Sequence, residues 1–468
     1  MLLEYSELEI SLQKPRDGRA IREPHPFCEV LSSNQHKKPS MSIQNLPTCS
    51  RNELKHFFEN QLLPKWRNGE PTLFRIKPEH VDSRIENTAK SIIANNGTYQ
   101  KGEKVALNSR PSALPLAVEM GYVLEKLGYH TLITYNLLGD PPLLNRLVAA
   151  LPHRKSLQRI ADQYKTLLDS VKHWIVPYAT PQAEPNKAER EAITVFTQIY
   201  NKGLSKLDEK LLSGDMKSRD SIGFPVAHEA KRLGLSLSEW EQILYKAMSA
   251  TKTEIEKEIE KTGYVKALGK AYGGKTLRIV RKGNYPVNLT MKLLNRPILK
   301  DVGKIGQNAI YGKFFERITN IPPGEIFTAP IENSVNGEFY TKIPQVTEHG
   351  TMEGVHIVFK NGRVAEATAT KGEETLHYYT GLAKPETEAK KPVYEAQNTI
   401  AELGIGVNPI LDLEKATGNV LIDEKMKGIH IATGTNKRMG GNTPGAIGGI
   451  AVEHWDYIVG KVDQIAAI

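Results

Sequence analysis

Between positions 325 and 456 the chain carries three acids and two histidines in settings where a carboxylate or an imidazole is not needed for solubility. His454 and Asp456 stand two apart in "AVEHWDYIVG". Side chains at i and i+2 of a strand leave the same face, so this imidazole and this carboxylate project together, with Trp455 turned to the opposite face as packing. Glu325 follows two prolines and a glycine in "NIPPGEIFTAP" and enters an apolar stretch. Glu402 is surrounded by small and apolar residues in "NTIAELGIGVNP". His430 lies between two isoleucines in "MKGIHIATGTN". An ionised carboxylate in apolar surroundings needs a compensating charge or strong hydrogen bonds. A divalent cation supplies that charge, and carboxylates with imidazoles are the ligand set of Zn, Co, Mn or Fe.

Singly, each residue has an ordinary explanation. A histidine in a strand is commonly a hydrogen-bonded core residue, a glutamate after Pro-Pro-Gly a loop acid, and an H-x-D pair a polar edge. It is their joint occurrence in a glycine-rich, β-rich region that points to a metal. His349 and His356 flank a turn-to-strand transition and His377 lies among tyrosines in a predicted helix. No acid accompanies these three at ligand-like spacing, so they rank lower.

The elements that must position this set can be read from periodicity. "GEKVALNSR" reads as a buried strand, "SALPLAVEMGYVLEKLGYH" as an amphipathic helix and "TLITYN" as a strand. Together they form a βαβ unit and imply a parallel sheet covered by helices. "NSRPSA" stands where a dinucleotide-binding glycine fingerprint would lie, which argues against a nicotinamide or flavin domain. Residues 155–265 read as helical and charged, their Met and aromatic positions at core spacing. After "TGYVKALGKAYGGK" the chain turns β-rich, with hairpin signals such as "KNGR". The expected architecture is therefore an α/β N-terminal domain with a helical insertion, residues 51–275, and a β-rich α+β C-terminal metal-binding domain, residues 276–468. Residues 1–50 are polar and proline-punctuated, a loosely ordered extension in which Met41 offers a second candidate start.

Composition narrows the function classes. The chain of 468 residues is 40% hydrophobic and 25% charged, and no run approaches the roughly 18 apolar residues of a membrane span. Only Cys28 and Cys49 occur, which excludes a thiolate site from the rest of the chain and fits a reducing, cytoplasmic setting. The formal charge of +9 is spread among glutamates rather than gathered into an aromatic-interleaved basic block, so no nucleic-acid partner is expected.

Five separated segments, "NIPPGEIFTAPIENSVNG", "KNGRVAEATATKGEE", "IAELGIGVNP", "IDEKMKGIHIATG" and "EHWDYIV", occur in an order that resembles the metallopeptidase family of the thermophilic aminopeptidases T and S, which are leucyl aminopeptidase-like. The resemblance covers residues 275–468 strongly and is fainter earlier, where "GFPVAHEAKRLGLSLSEWEQILYKA" is similar to the family too. It implies a two-metal aminopeptidase, a homodimer with an enclosed active-site cavity, acting on short peptides. The metal ligands it implies are Glu325, Glu402, His430, His454 and Asp456. Glu325 or Glu402 would be the bridging acid and the general base. Two cations about 3.5–4 Å apart can share a carboxylate and activate a water near neutral pH. One departure is clear: the family tyrosine seven residues after His430 is Lys437 here, beside Asn436.

That departure keeps two other readings open. Dihydroxypyridine ring-cleaving dioxygenases resemble the same peptidases and keep one iron on a His, His, Asp set, here His430, His454 and Asp456. The retained Glu325 and Glu402 favour two cations instead. A catalytically inactive relative is the third reading.

Overall fold

The computed structural model describes residues 80–136, 165–181, 184–306, 313–385, 387–413 and 415–468, with 48–49, 77–78 and 162 besides. The extension expected over residues 1–50 otherwise lies outside them.

The βαβ unit forms as its patterning predicts. Strand Lys104–Ser109 leads through helix Leu114–Lys126 to strand His130–Tyr135, and the two strands pair in parallel. Pro115 in the first turn of the helix removes a backbone N–H that would have no partner there. Five parallel strands make the sheet, in the order Ile318–Ile321, Ser218–Gly223, His173–Tyr178, Lys104–Ser109, His130–Tyr135. Two of them, His173–Tyr178 and Ser218–Gly223, lie inside the stretch read as helical. A third, Ile318–Ile321, returns from beyond residue 275 to form the sheet edge. The helical reading holds for Lys187–Ser213, Leu237–Met248 and Lys252–Thr262. Each opens on a capping box: Asn186 with Glu189, Ser236 with Glu239 and Thr251 with Glu254.

The C-terminal half holds two large antiparallel sheets, besides two short two-stranded ones, among the described residues. One has five strands in the order His454–Gly460, Gly428–Gly434, Ile400–Gly406, Glu325–Thr328, Leu299–Asp301. The other has six, from Arg363–Thr368 to Gln464–Ala467, and its hairpin at Lys360–Arg363 turns on Asn361 and Gly362, both at positive φ. A single hydrophobic core lies between the sheets. The five-stranded sheet gives it Leu403, Ile405, Ile429, Ile431, Trp455 and Tyr457; Leu289, Phe339 and Ile357 come from the other.

That core fixes register. Burying an Ile or Leu side chain is worth about 1.5–3 kcal/mol. A one-residue slip would move the whole set to the other face of its sheet. The alternate positions, Glu325, Glu402, His430, His454 and Asp456, are thereby held on the opposite face. Among the described residues no helix is long and apolar enough to cross a membrane.

Candidate metal centre

Local features of the strands deliver the five residues. Glu325 begins its strand directly after Pro322-Pro323-Gly324. Gly324 has φ of +125°, and a Cβ there would lie 2.8 Å from the Asn408 backbone nitrogen, so only glycine fits. Asn408 clamps the turn, donating from Nδ2 to the Pro323 carbonyl at 2.7 Å. Glu402 leaves the same face of its strand as Gly404 and Gly406. Gly404 is the register partner of His430, and the missing side chain gives the imidazole its room. His454 and Asp456 leave one face of the edge strand, as the i, i+2 spacing requires, while Trp455 packs into the core against Tyr379.

The five groups converge. His430 Nε2 lies 3.2 Å from Glu402 Oε1, 3.7 Å from Glu325 Oε2 and 4.0 Å from Asp456 Oδ1. His454 Nε2 lies 3.4 Å from Glu402 Oε2 and 3.5 Å from Asp456 Oδ1. Two sets of donor atoms can each surround an ion, Glu325–Glu402–His430 and Glu402–His454–Asp456, with all atoms of a set within 4.8 Å of one another. Glu402 belongs to both. His454 Nδ1 donates to the Thr435 carbonyl at 2.8 Å, which fixes the tautomer and leaves Nε2 with its lone pair toward the site.

The donor set fits a divalent metal on a further observation. Asp456 Oδ1 is buried and accepts no hydrogen bond, although it is the oxygen that faces both imidazoles. An orphaned carboxylate oxygen is costly unless a cation meets it. The protonation pattern agrees. Burial opposes charge on every member. Even so, the imidazoles hold Asp456 down at about 2 and Glu402 below its ordinary value. In return the carboxylates raise His430, and raise His454 strongly.

Behind the first set lies a second group that the sequence reading missed. Lys425 is fully buried and its Nζ pairs with Glu325 Oε1, with Glu424 Oε1 at 2.8 Å and with Asp301 Oδ2 at 3.4 Å. Burial, together with the fields of Asp456 and Glu402, pushes Glu424 up to about 8 despite Lys425. Burial also lifts Glu325 well above the carboxylate range. Within the cluster, five carboxylates (Asp301, Glu325, Glu402, Glu424 and Asp456) face one ammonium. Acidic groups therefore outnumber the one buried ammonium.

A cavity of about 500 Å³ opens onto this cluster. The parallel sheet lines its other side with Trp174, Tyr178 and Arg219, and Phe315 and Phe327 form an apolar wall. Lys437 is exposed and outside the cavity wall, so its ammonium is not set against the acids. Asn436 lines the cavity, but its carboxamide is committed to the loop: Nδ2 donates to Glu332 at 3.1 Å and Oδ1 accepts from the Thr443 N–H at 2.9 Å. The lower-ranked histidines lie elsewhere. His349 packs against Tyr378, His356 pairs with Glu338 and His377 Nε2 bonds the Ala367 carbonyl.

Comparison with known proteins agrees with this geometry. The profile of the thermophilic metalloprotease (M29) family matches residues 81–443, most of the chain. The chain belongs to that family. Aminopeptidase AmpS of Bacillus subtilis (strain 168) is 28% identical over 89 residues, an alignment covering 19% of this chain. The chain spans 20% of the length of that curated relative. Wild-type AmpT from Thermus thermophilus superposes with a TM-score of 0.56 at 18% identity, covering 81% of this chain and 93% of that one. The two share a fold. The 2,5-dihydroxypyridine dioxygenase of Pseudomonas putida KT2440 gives a TM-score of 0.42 at 13% identity, over 82% of this chain and 95% of that one.

Proposed function

We propose that this protein is a metal-dependent aminopeptidase that removes the N-terminal residue of short peptides, using two divalent cations (Zn, Co or Mn). One observation carries the reading: Glu402 turns its two oxygens to two different imidazoles, so the five residues fall into two three-donor sets that share it. Glu325 and His430 complete one set, His454 and Asp456 the other. Glu402 is the bridging acid. Membership of a metalloprotease family and the likeness to aminopeptidase AmpS support the activity.

Bound cations there would polarise the scissile carbonyl and make a water acidic enough to ionise near neutral pH. The protein's own contribution is orientation. His454 is held by Thr435, and Phe315 and Phe327 set an apolar wall beside the cluster. Glu325 or Glu402 would take a proton from the attacking water and return one to the departing amine. A cavity of this size admits a short peptide, whose free amine would meet the acid cluster. The homodimer implied by the resemblance and the cytoplasmic setting expected from the cysteine content belong to this reading.

A one-iron dioxygenase would use His430, His454 and Asp456. It would leave Glu402 wedged between the two imidazoles without a role. Purified protein loaded with Co or Zn should hydrolyse an unblocked tripeptide but not its N-acetylated form. His454→Ala should lose both the activity and part of the bound metal. Failure of metal-loaded protein to cleave any unblocked peptide, or full activity in His454→Ala, would overturn the proposal.

A further inference from the structure

Lys425 is the described residue whose burial is hardest to explain by packing. A lysine is almost never fully buried unless paired, and this one has no exposed surface. Its Nζ is surrounded by three carboxylates from separate parts of the chain, Asp301, Glu325 and Glu424. Asp301 is itself anchored, accepting from Thr319 Oγ1 at 3.0 Å and from the Asn320 N–H at 3.0 Å. Glu424 Oε1 accepts from Asn320 Nδ2 at 3.2 Å. The ammonium therefore sits in a fixed frame.

The frame acts on one oxygen. Lys425 takes Glu325 Oε1, and Glu325 Oε2 is the oxygen within 3.7 Å of His430 Nε2. A carboxylate with both oxygens loose could turn edge-on, chelate through both, or swing into the cavity. With Oε1 held, only Oε2 faces the Glu402–His430 side. An ammonium close to a cation is repulsive, but three surrounding carboxylates offset that charge. We infer that Lys425 is a positioning residue of the metal centre, fixing which oxygen Glu325 presents to the ion of the Glu325–Glu402–His430 set.

This inference rests on the two-cation reading, and one experiment separates the two. Wild-type, Lys425→Met and Asp301→Asn proteins are stripped with chelator and titrated with Co(II). Bound metal is counted after desalting, the visible cobalt spectrum is recorded, and circular dichroism checks the fold. Wild type should bind two ions per chain. Lys425→Met should keep the ion of the Glu402–His454–Asp456 set and bind the other about 10–100-fold more weakly, the loss typical when an outer partner of a metal ligand is removed. One of the two sets of cobalt bands should disappear with it. Asp301→Asn keeps the ammonium but removes one of its holders, and should weaken the same ion to a smaller degree. Two ions bound by Lys425→Met with wild-type affinity and spectrum would overturn the inference while leaving the two-cation reading standing. Fewer than two ions in wild type would remove the reading itself. If Lys425→Met does not fold, Asp301→Asn decides, and unchanged affinity for both ions overturns the inference.

Discussion

Gly404 and His430 face each other on neighbouring antiparallel strands, and the imidazole lies so close over the glycine that a Cβ placed there would sit 1.8 Å from His430 Nε2. No rearrangement of a small side chain relieves such an overlap. Either the ring leaves the site or the strands separate.

Gly404→Ala should therefore act as a metal-centre mutation although glycine has no functional group. Overpacking costs about 1–3 kcal/mol in general. Displacement of His430 should add a loss of the ion that His430 would hold in the proposed centre. Thermal unfolding and metal content of the purified variant check both parts; a variant with full metal content would show that the ring had another place to go.

Glu402 and Asp456 should differ in how many ions they control. Glu402 belongs to both donor sets and Asp456 to one. Glu402→Ala should lose both ions and Asp456→Ala one, with activity down at least about 100-fold in each. Equal metal losses in the two variants would contradict the shared role of Glu402.

Glu229 offers a pH prediction remote from the candidate metal centre. It is fully buried, and its carboxylate accepts from Thr180, Asn419 and the Trp240 indole N–H at 3.3 Å. Burial raises it from an ordinary value of 4.5 to about 7 despite these bonds. Between those two pH values the folded state holds a proton that the unfolded state has released. Stability contributed by this group is thus complete below about 4.5 and declines as pH rises toward about 7. Glu229→Gln should flatten the fall in stability over that interval, by up to one proton in the linkage slope. Denaturant titrations at several pH values check it, and an unchanged slope would contradict it.

Much of the site was legible in sequence because its residues interrupt apolar alternation. His430 between Ile429 and Ile431, and Glu402 beside Leu403, are polar positions on strands whose other face is core. The i, i+2 spacing of His454 and Asp456 was enough to predict their shared face. The βαβ unit was legible from its continuous apolar runs. The two further parallel strands were not. Ser218–Gly223 buries Ser218 and Asp220 in a polar network with His173, so it lacks apolar character, and His173–Tyr178 contains a proline. Lys425 was hidden for another reason. In "IDEKMKGIH" it looks like one charge in a solvated run, and two of its partners, Asp301 and Glu325, come from about a hundred residues earlier, beyond the reach of any local signal.

The central claim concerns position, so the measurement that meets it most directly is anomalous diffraction from a crystal grown with Co or Zn. Two anomalous peaks are expected on the face of the His430 strand opposite the core. Each should lie about 2.0–2.2 Å from its nitrogen and oxygen ligands, and both should touch Glu402. A single peak on His430, His454 and Asp456, or none near these residues, would contradict the account.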